Sequence, residues 1–147
     1  MAPSMPVIND VTTDPYNPPQ FKKIAELPEN KGRDFSFPKA FITYHEQNYP
    51  DIAPRKLKYS PEQAFQKCKE VGLSLPRWEL VSEDPKTYTL EFVVTSFLMR
   101  FKDDVIVQVT PEKTGSAVHM RSRSRTGKSD LGVNAQRIRD YFEKLKG

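Results

Sequence analysis

The sequence predicts an α+β fold in which a four-stranded antiparallel sheet carries two helices on one face. Apolar residues recur at helical spacing in two segments, and apolar and polar residues alternate in the short stretches between them. Hairpin-length loops separate these stretches, which favours an antiparallel meander covered by the helices on one side. Ten of the thirteen prolines lie in residues 1–61, so we expect an extended proline-rich arm before this domain.

The predicted arm spans residues 1–58, and the α+β domain spans residues 59–147. Proline lacks the backbone N–H and fixes φ, which disfavours regular helix and central strand in the arm. Aromatic residues, which are scarce in disordered chains, occur throughout this part of the sequence. They are Tyr16, Phe21, Phe35, Phe37, Phe41, Tyr44 and Tyr49, and Tyr59 follows directly after the arm. We expect an arm that lies on the domain with its rings in grooves; a mobile tail and an arm that docks onto a partner are the alternatives.

The first predicted helix begins at Ser60-Pro61-Glu62-Gln63, a capping box with proline at the first helical position. Gly72 and Pro76 are expected to mark its end. The apolar residues on its inner face are Ala64, Phe65, Cys68, Val71 and Leu75. Because Cys68 lies on this face without an activating neighbour, we expect a buried apolar residue and not a nucleophile.

Four strands and a second helix follow. The strands are predicted over residues 77–83, 87–97, 103–110 and 116–124. In the second strand, one face carries Tyr88, Leu90, Phe92 and Val94. The apolar positions of the last helix are Leu131, Ala135, Ile138, Tyr141, Phe142 and Leu145. Ser129 or Asp130 is expected to cap the start of this helix.

The stretch RSRSRTGKSDLG, residues 121–132, places an arginine at every second position of the last predicted strand. Val118 and Met120 then face the helices, while the arginines face outward or across an open sheet face. The outward residues are His119, Arg121, Arg123 and Arg125. Asp103 and Asp104 begin the preceding strand of the same hairpin, so we expect these carboxylates close to Arg121 or Arg125.

Several motifs resemble those of a bacterial and plastid family, the domain of unknown function family 1499. The longest match is RSRSRTGKSDLGVNAQRIR (121–139). Shorter matches are INDVTTDPYNPPQF (8–21), YSPEQAF (59–65) and RFKDDV (100–105), so the resemblance covers most of the chain. The family varies at position 123. Of the arginines in this stretch, Arg123 is therefore the one least expected to belong to a site that the family shares.

The resemblance implies no particular activity, because none is established for the family. Similar proteins commonly carry a signal or a membrane anchor, which implies a periplasmic or a plastid, thylakoid-lumenal location. This chain shows neither a signal peptide nor a run of about 18 apolar residues, so that location requires a leader that was removed. A cytoplasmic location is the alternative.

The charged residues near the last strand and helix allow three interpretations. The candidate site residues are Asp103, Asp104, Arg121, Arg125, Lys128, Ser129, Asp130 and Asn134. They form an ion-pair network that fixes the strand-to-helix corner, an anion site beside the helix start, or the centre of a hydrolase-like enzyme. Adjacent strand residues point to opposite faces, so the carboxylates of Asp103 and Asp104 are not expected to converge for catalysis.

Other function classes are disfavoured. Thr126-Gly127-Lys128-Ser129 ends like a phosphate loop, but the position of its first glycine is Ser122. The arginine run is short, and no aromatic residues interleave with it, which argues against nucleic acid. One cysteine and two distant histidines predict neither a metal site nor a cofactor.

We therefore expect a non-enzymatic binding or assembly module of an envelope or lumenal compartment. It would hold a small anionic or amphipathic ligand, or a protein partner. The alternatives are the hydrolase-like enzyme centred on Asp103, Asp104, Arg121 and Arg125, and an accessory subunit that docks onto a larger complex through its N-terminal arm.

Overall fold

A computed structural model describes residues 8–97, 100–127 and 129–145 of the chain. Within these residues, three α-helices and two short 3₁₀ helices accompany a six-stranded antiparallel sheet. The strands are β1 (Asp10–Thr12), β2 (Arg55–Leu57), β3 (Trp78–Asp84), β4 (Thr89–Thr95), β5 (Lys102–Pro111) and β6 (Ser116–Ser124). The helices are α1 (Ala40–Asn48), α2 (Pro61–Ser74) and α3 (Val133–Lys144), and the 3₁₀ helices are Ile24–Glu26 and Pro28–Asn30.

The strands lie in the order β1-β6-β5-β4-β3, and β2 also pairs with β6. Strand β1 pairs with residues 121–123 of β6, and β2 pairs with residues 116–118, so both lie along the same edge. The hairpin of β5 and β6 sets Asp103 opposite Ser124 and Asp104 opposite Arg123. This register places the charged stretch of the sequence at the end of the sheet nearest α3.

The α+β class and the antiparallel sheet are confirmed, but the prediction of four strands and two helices is wrong. The two additional strands have three residues each, too short for an alternating pattern to show in the sequence. The extended arm is not confirmed, because the described part of residues 1–58 contains β1, α1 and β2. Its prolines stand between these short elements; Pro28, for example, opens a 3₁₀ helix.

Helices α2 and α3 pack on one face of the sheet. The capping box of α2 is confirmed: Ser60 Oγ accepts a hydrogen bond from Gln63 N–H at 3.2 Å, and Gln63 Oε1 accepts one from Ser60 N–H at 3.2 Å. Cys68 is fully buried in this core, and burial raises the pKa of its thiol to about 12. The core under the helices includes Phe65, Leu90, Phe92, Val94, Val105, Val107, Met120, Ile138 and Tyr141.

The opposite face of the sheet is covered by the chain itself. Phe21 and Ile24 pack against Val93 and Ile106, with Phe35 at their side. We call residues 18–37, which run across this face, the covering segment. The expectation of an open sheet face beneath the arginines is therefore wrong, because the aromatic residues of the N-terminal region bury that face.

The start of α3 differs from the prediction. Leu131 is 68% exposed and lies outside the helix, and the N-cap is Gly132, whose φ of 83° suits glycine. Neither Ser129 nor Asp130 is the N-cap. Asp130 instead accepts the Gly132 N–H through Oδ1 at 2.8 Å and the Val133 N–H through its backbone carbonyl at 3.0 Å, so it forms the turn that leads into the helix.

Helix α1 lies at the β1 edge of the sheet, where its His45 side chain accepts a hydrogen bond from the β1 backbone. The Thr12 N–H donates to His45 Nε2 at 3.0 Å, and His45 Nδ1 lies 2.7 Å from the Phe41 carbonyl oxygen. These partners require a neutral ring with its proton on Nδ1. Burial lowers the pKa of His45, which favours the same neutral form.

Among the residues that the structure describes, no helix combines the length and the apolar character needed to cross a membrane.

The close approach of α2 to the sheet gives a first prediction. Helix α2 ends at Ser74, between Gly72 and Pro76, the two residues predicted to mark its end, and a Cβ at Gly72 would lie 2.3 Å from Phe92 Cζ. Gly72→Ala should lower the free energy of unfolding by about 1–3 kcal/mol, because overpacking outweighs the better helix propensity of alanine. Urea unfolding measures this change. Glu70→Ala, on the exposed side of α2, is the control, and an equal or greater stability of Gly72→Ala would contradict the packing argument.

Candidate functional site

Arg121 is fully buried on the covered face of the sheet, and its partner is Asp10. Its Nε and Nη2 donate to the two carboxylate oxygens of Asp10 at 3.0 and 2.7 Å. Nη1 also donates to the Pro19 carbonyl at 3.0 Å, and Nη2 donates to the Phe35 carbonyl at 2.7 Å. Each guanidinium nitrogen therefore has an acceptor within the protein.

Two rings of the covering segment lie against the Arg121 guanidinium. The Phe21 ring centroid is 5.0 Å from Arg121 Cζ, and the Phe37 centroid is 5.7 Å away. Both distances fall within the range of cation–π contacts. The side chain thus joins β6 to β1 and to both ends of the covering segment.

Arg125 forms an ion pair with Asp104, which is one of the contacts predicted from the sequence. Arg125 Nε donates to Asp104 Oδ1 at 2.9 Å, and Glu29 Oε2 lies 3.8 Å from Arg125 Nη1. Burial raises the pKa of Asp104, while Arg125 opposes this shift. The pair connects the hairpin to the covering segment, on the same face as Arg121.

Asp103 points to the other face, toward α3. Its Oδ2 accepts from Arg137 Nη1 at 2.6 Å, and the same nitrogen donates to Asn134 Oδ1 at 2.9 Å and to Ser122 Oγ at 3.1 Å. Asn134 Nδ2 in turn donates to Asp130 Oδ2 at 2.8 Å. Burial raises the pKa of Asp103, and Arg137 opposes this shift.

The predicted site residues therefore form two separate groups. Asp104 and Arg125 lie on the covered face together with Arg121, which pairs with Asp10 and with neither Asp103 nor Asp104. Asp103, Asp130 and Asn134 lie beneath the start of α3. Ser129 precedes this group and accepts the Leu131 N–H through Oγ at 3.4 Å. Lys128 lies outside the described residues.

Arg123 differs from its neighbours because its contacts are poorer. Its Nε lies 3.9 Å from Asp10 Oδ2, and its Nε and Nη1 are buried without a hydrogen-bond partner among the described residues. Its guanidinium lies 4.4 Å from the Phe35 ring centroid. Burial lowers the pKa of Arg123, as expected for a cation with incomplete pairing.

A surface cleft of about 410 Å³ lies beyond the Asp103–Arg137 pair, where β3, β4 and α3 come together. Trp78 stacks on Tyr141 in this cleft, with ring centroids 5.5 Å apart and planes 9° from parallel. Phe97 and Val133 also line it and are 69% and 47% exposed. The polar lining is Arg77, Thr95, Ser96, Gln136, Arg137 and Asp140. We call this feature the apolar cleft.

One residue that lines the apolar cleft, Arg77, has an uncommon backbone conformation, and so has Leu131, which precedes the lining residue Val133 by two positions. Arg77 lines the cleft with a φ of 65°, and Leu131, two residues before Val133, has a φ of 53°. Non-glycine residues with such angles are uncommon, and they cluster at functional sites. The cleft, and not the predicted charged groups, therefore combines exposed apolar surface, cations and backbone strain.

Comparison with known protein families shows which family the chain belongs to. A family model described as "Protein of unknown function (DUF1499)" matches residues 10–145. The chain belongs to the DUF1499 family. A search of curated proteins finds no match to this DUF1499 protein.

Sequence reasoning missed three features of the DUF1499 protein that matter for its site. Asp10 lies 111 residues from Arg121, and no local spacing signals the pair. Arg137 was not among the predicted site residues, yet its position one turn after Asn134 is a signal that it faces the same network. The lining residues Trp78 and Phe97 flank the ends of predicted strands, where the sequence alone does not show a cavity.

The two neighbouring arginines of the DUF1499 protein give a matched pair of variants. Arg121→Met should lower the free energy of unfolding by about 3–5 kcal/mol, because it leaves the buried Asp10 carboxylate without its partner. Arg123→Met should change it by less than about 1 kcal/mol, because methionine keeps the contact with Phe35 and removes unpaired buried N–H groups. Urea unfolding of both variants measures the difference, and equal losses would refute the assignment of separate roles.

Proposed function

We propose that the DUF1499 protein is a non-enzymatic binding module that holds a small amphipathic ligand in the apolar cleft. The single observation that carries this proposal is the composition of the cleft: exposed Phe97 and Val133 and the stacked Trp78–Tyr141 pair lie beside Arg77 and Arg137. Small-molecule sites in proteins are mostly apolar with a few placed polar groups, and this cleft falls within their usual size range of about 300–1,000 Å³.

The arrangement of the carboxylates supports binding over catalysis. Asp103 and Asp104 point to opposite faces of the sheet, and each is paired with its own arginine. Acid–base work by two carboxylates needs both within reach of one substrate, which this separation opposes. The hydrolase-like activity stays a prediction that no observation favours.

Exposed apolar residues beside the apolar cleft favour a protein partner as the second candidate. Phe101 is 44% exposed and its N–H is hydrogen-bonded to Ser96 Oγ, which belongs to the cleft lining; Leu131 is 68% exposed. A partner would cover these side chains together with Phe97. An envelope or lumenal compartment belongs to the proposal through the family resemblance alone, and docking through the N-terminal region stays a prediction.

The single tryptophan of the chain makes ligand binding directly measurable. Because Trp78 lines the apolar cleft, the amphipathic dye anilinonaphthalene sulfonate should bind saturably and quench Trp78 emission by energy transfer. Phe97→Ala should weaken the affinity about tenfold, since the lost ring contact is worth about 1.5 kcal/mol. The affinity is measured by fluorescence titration.

Tyr16→Ala is the matched control for this titration, since Tyr16 is an equally exposed aromatic residue, at 73%, that does not line the cleft. Its affinity for the dye should equal that of the wild type. Absence of saturable quenching, or the same loss in both variants, would overturn ligand binding in the cleft, and capture of a defined protein through Phe97, Phe101 and Leu131 would then be the proposal to test.

A further inference from the structure

We infer that the ligand of the apolar cleft is a monoanionic amphiphile, a carboxylate on an apolar chain, and that Arg77 and Arg137 select its head group. This inference rests on the proposed function and adds the chemical class of the ligand. Two cations line the cleft: Arg137, whose Nη1 is paired with Asp103, and Arg77, which has no carboxylate partner among the described residues.

Arg137 is fixed in position from behind. Its Nη1 makes the contacts with Asp103, Asn134 and Ser122, at 2.6, 2.9 and 3.1 Å. Among the described residues, its Nε and Nη2 have no hydrogen-bond partner, although the side chain lines the cleft and is only 11% exposed. A guanidinium held by one nitrogen loses little conformational freedom when the remaining nitrogens bind an anion.

Arg77 supplies a charge that no carboxylate offsets. Its Nε donates to the Thr95 carbonyl at 3.1 Å, and its guanidinium lies 5.2 Å from the Phe97 ring centroid. Within the described ranges, no Asp or Glu oxygen comes within ion-pair distance of it, whereas Arg137, the other arginine of the cleft, is paired with Asp103. An exposed cation beside an apolar surface suits a ligand with one anionic end.

The remaining charge of the lining favours one negative charge on the ligand over two. Asp140 also lines the cleft and accepts from Gln136 Nε2 at 2.9 Å. Asp103 already offsets much of the charge of Arg137, so Arg77 is the main unbalanced cation, and a second negative charge on the ligand would meet the Asp140 carboxylate. The apolar chain would lie on Trp78, Phe97 and Val133.

Three amphiphiles with the same chain and different head groups test the inference. Decanoate, 1-decanol and decyltrimethylammonium are titrated below their micellar concentrations at fixed ionic strength, with Trp78 fluorescence and calorimetry as readouts. Decanoate should bind about tenfold more tightly than 1-decanol, the difference expected of a charge-assisted contact. The cationic amphiphile should bind more weakly than either.

Variants of the two arginines test whether these side chains cause the preference for decanoate over 1-decanol. Arg77→Gln should bring the affinity for decanoate down to that for 1-decanol and leave 1-decanol binding unchanged. Arg55→Gln, which removes the same charge from the exposed surface of β2, is the control. Because Arg137→Gln alone would leave Asp103 buried and unpaired, the second variant combines Arg137→Gln with Asp103→Asn. It should also weaken decanoate binding while it stays folded by circular dichroism.

The outcomes distinguish the inference about the head group from the proposal that the cleft binds a ligand. Equal binding of decanoate and 1-decanol, or a preference for the cation, overturns the head-group inference and leaves the cleft as a binding site. A preference for decanoate that survives in both arginine variants also overturns it. If none of the three amphiphiles binds, both the inference and the proposed function fail.

Discussion

The buried ion pair between Arg121 and Asp10 is the interaction on which the rest of this structure depends. Arg121 has the largest side chain among the fully buried residues, and it contacts a carboxylate, two backbone carbonyls and two aromatic rings. A charge in such a position is costly unless it is completely paired. The covering segment can therefore lie over the sheet only where the carbonyls of Pro19 and Phe35 reach this guanidinium.

The same principle recurs along the covering segment. Glu91 on β4 is buried, and its carboxylate accepts the backbone N–H groups of Lys22, Lys23 and Ile24 at 2.9, 3.0 and 3.2 Å. Arg33 Nη1 donates to the Arg125 carbonyl at 2.7 Å. A proline-rich chain has few regular backbone hydrogen bonds, so hydrogen bonds between side chains and backbone groups connect it to the sheet instead. This explains how a segment with little regular secondary structure covers a sheet face.

The sequence predicted the elements with strong local signals. The capping box at Ser60, the alternation around Phe92 and the β5–β6 hairpin are properties of consecutive residues, and the structure has all three. Strands β1 and β2 were missed because their pairing with β6 comes from long-range contacts and not from local pattern. The same limit explains why Arg121 was expected beside Asp103 or Asp104: hairpin register is readable from the sequence, but a partner at the opposite end of the chain is not.

The functional consequence is that Arg121 and Arg125, two of the three arginines in the sequence motif, are paired with carboxylates inside the protein. In our proposal the ligand site lies at the apolar cleft, next to Arg137, which contacts both the charged network and the cleft. The sequence alone allowed the motif RSRSRTGKSDLG both a structural role and an anion-binding role. In this proposal the motif fixes the sheet and its covering segment, and the neighbouring apolar cleft binds the ligand.

Two-dimensional ¹H–¹⁵N NMR spectra, recorded while the protein is titrated with decanoate, test most directly whether the ligand binds at the cleft and not at the charged motif. The account predicts that the indole N–H of Trp78 and the Nε–H of Arg77 shift with increasing ligand, while the Nε–H signals of Arg121 and Arg125 stay in place. Shifts at Arg121 and Arg125 with an unchanged Trp78 signal would contradict it, because they would place the ligand at the charged motif.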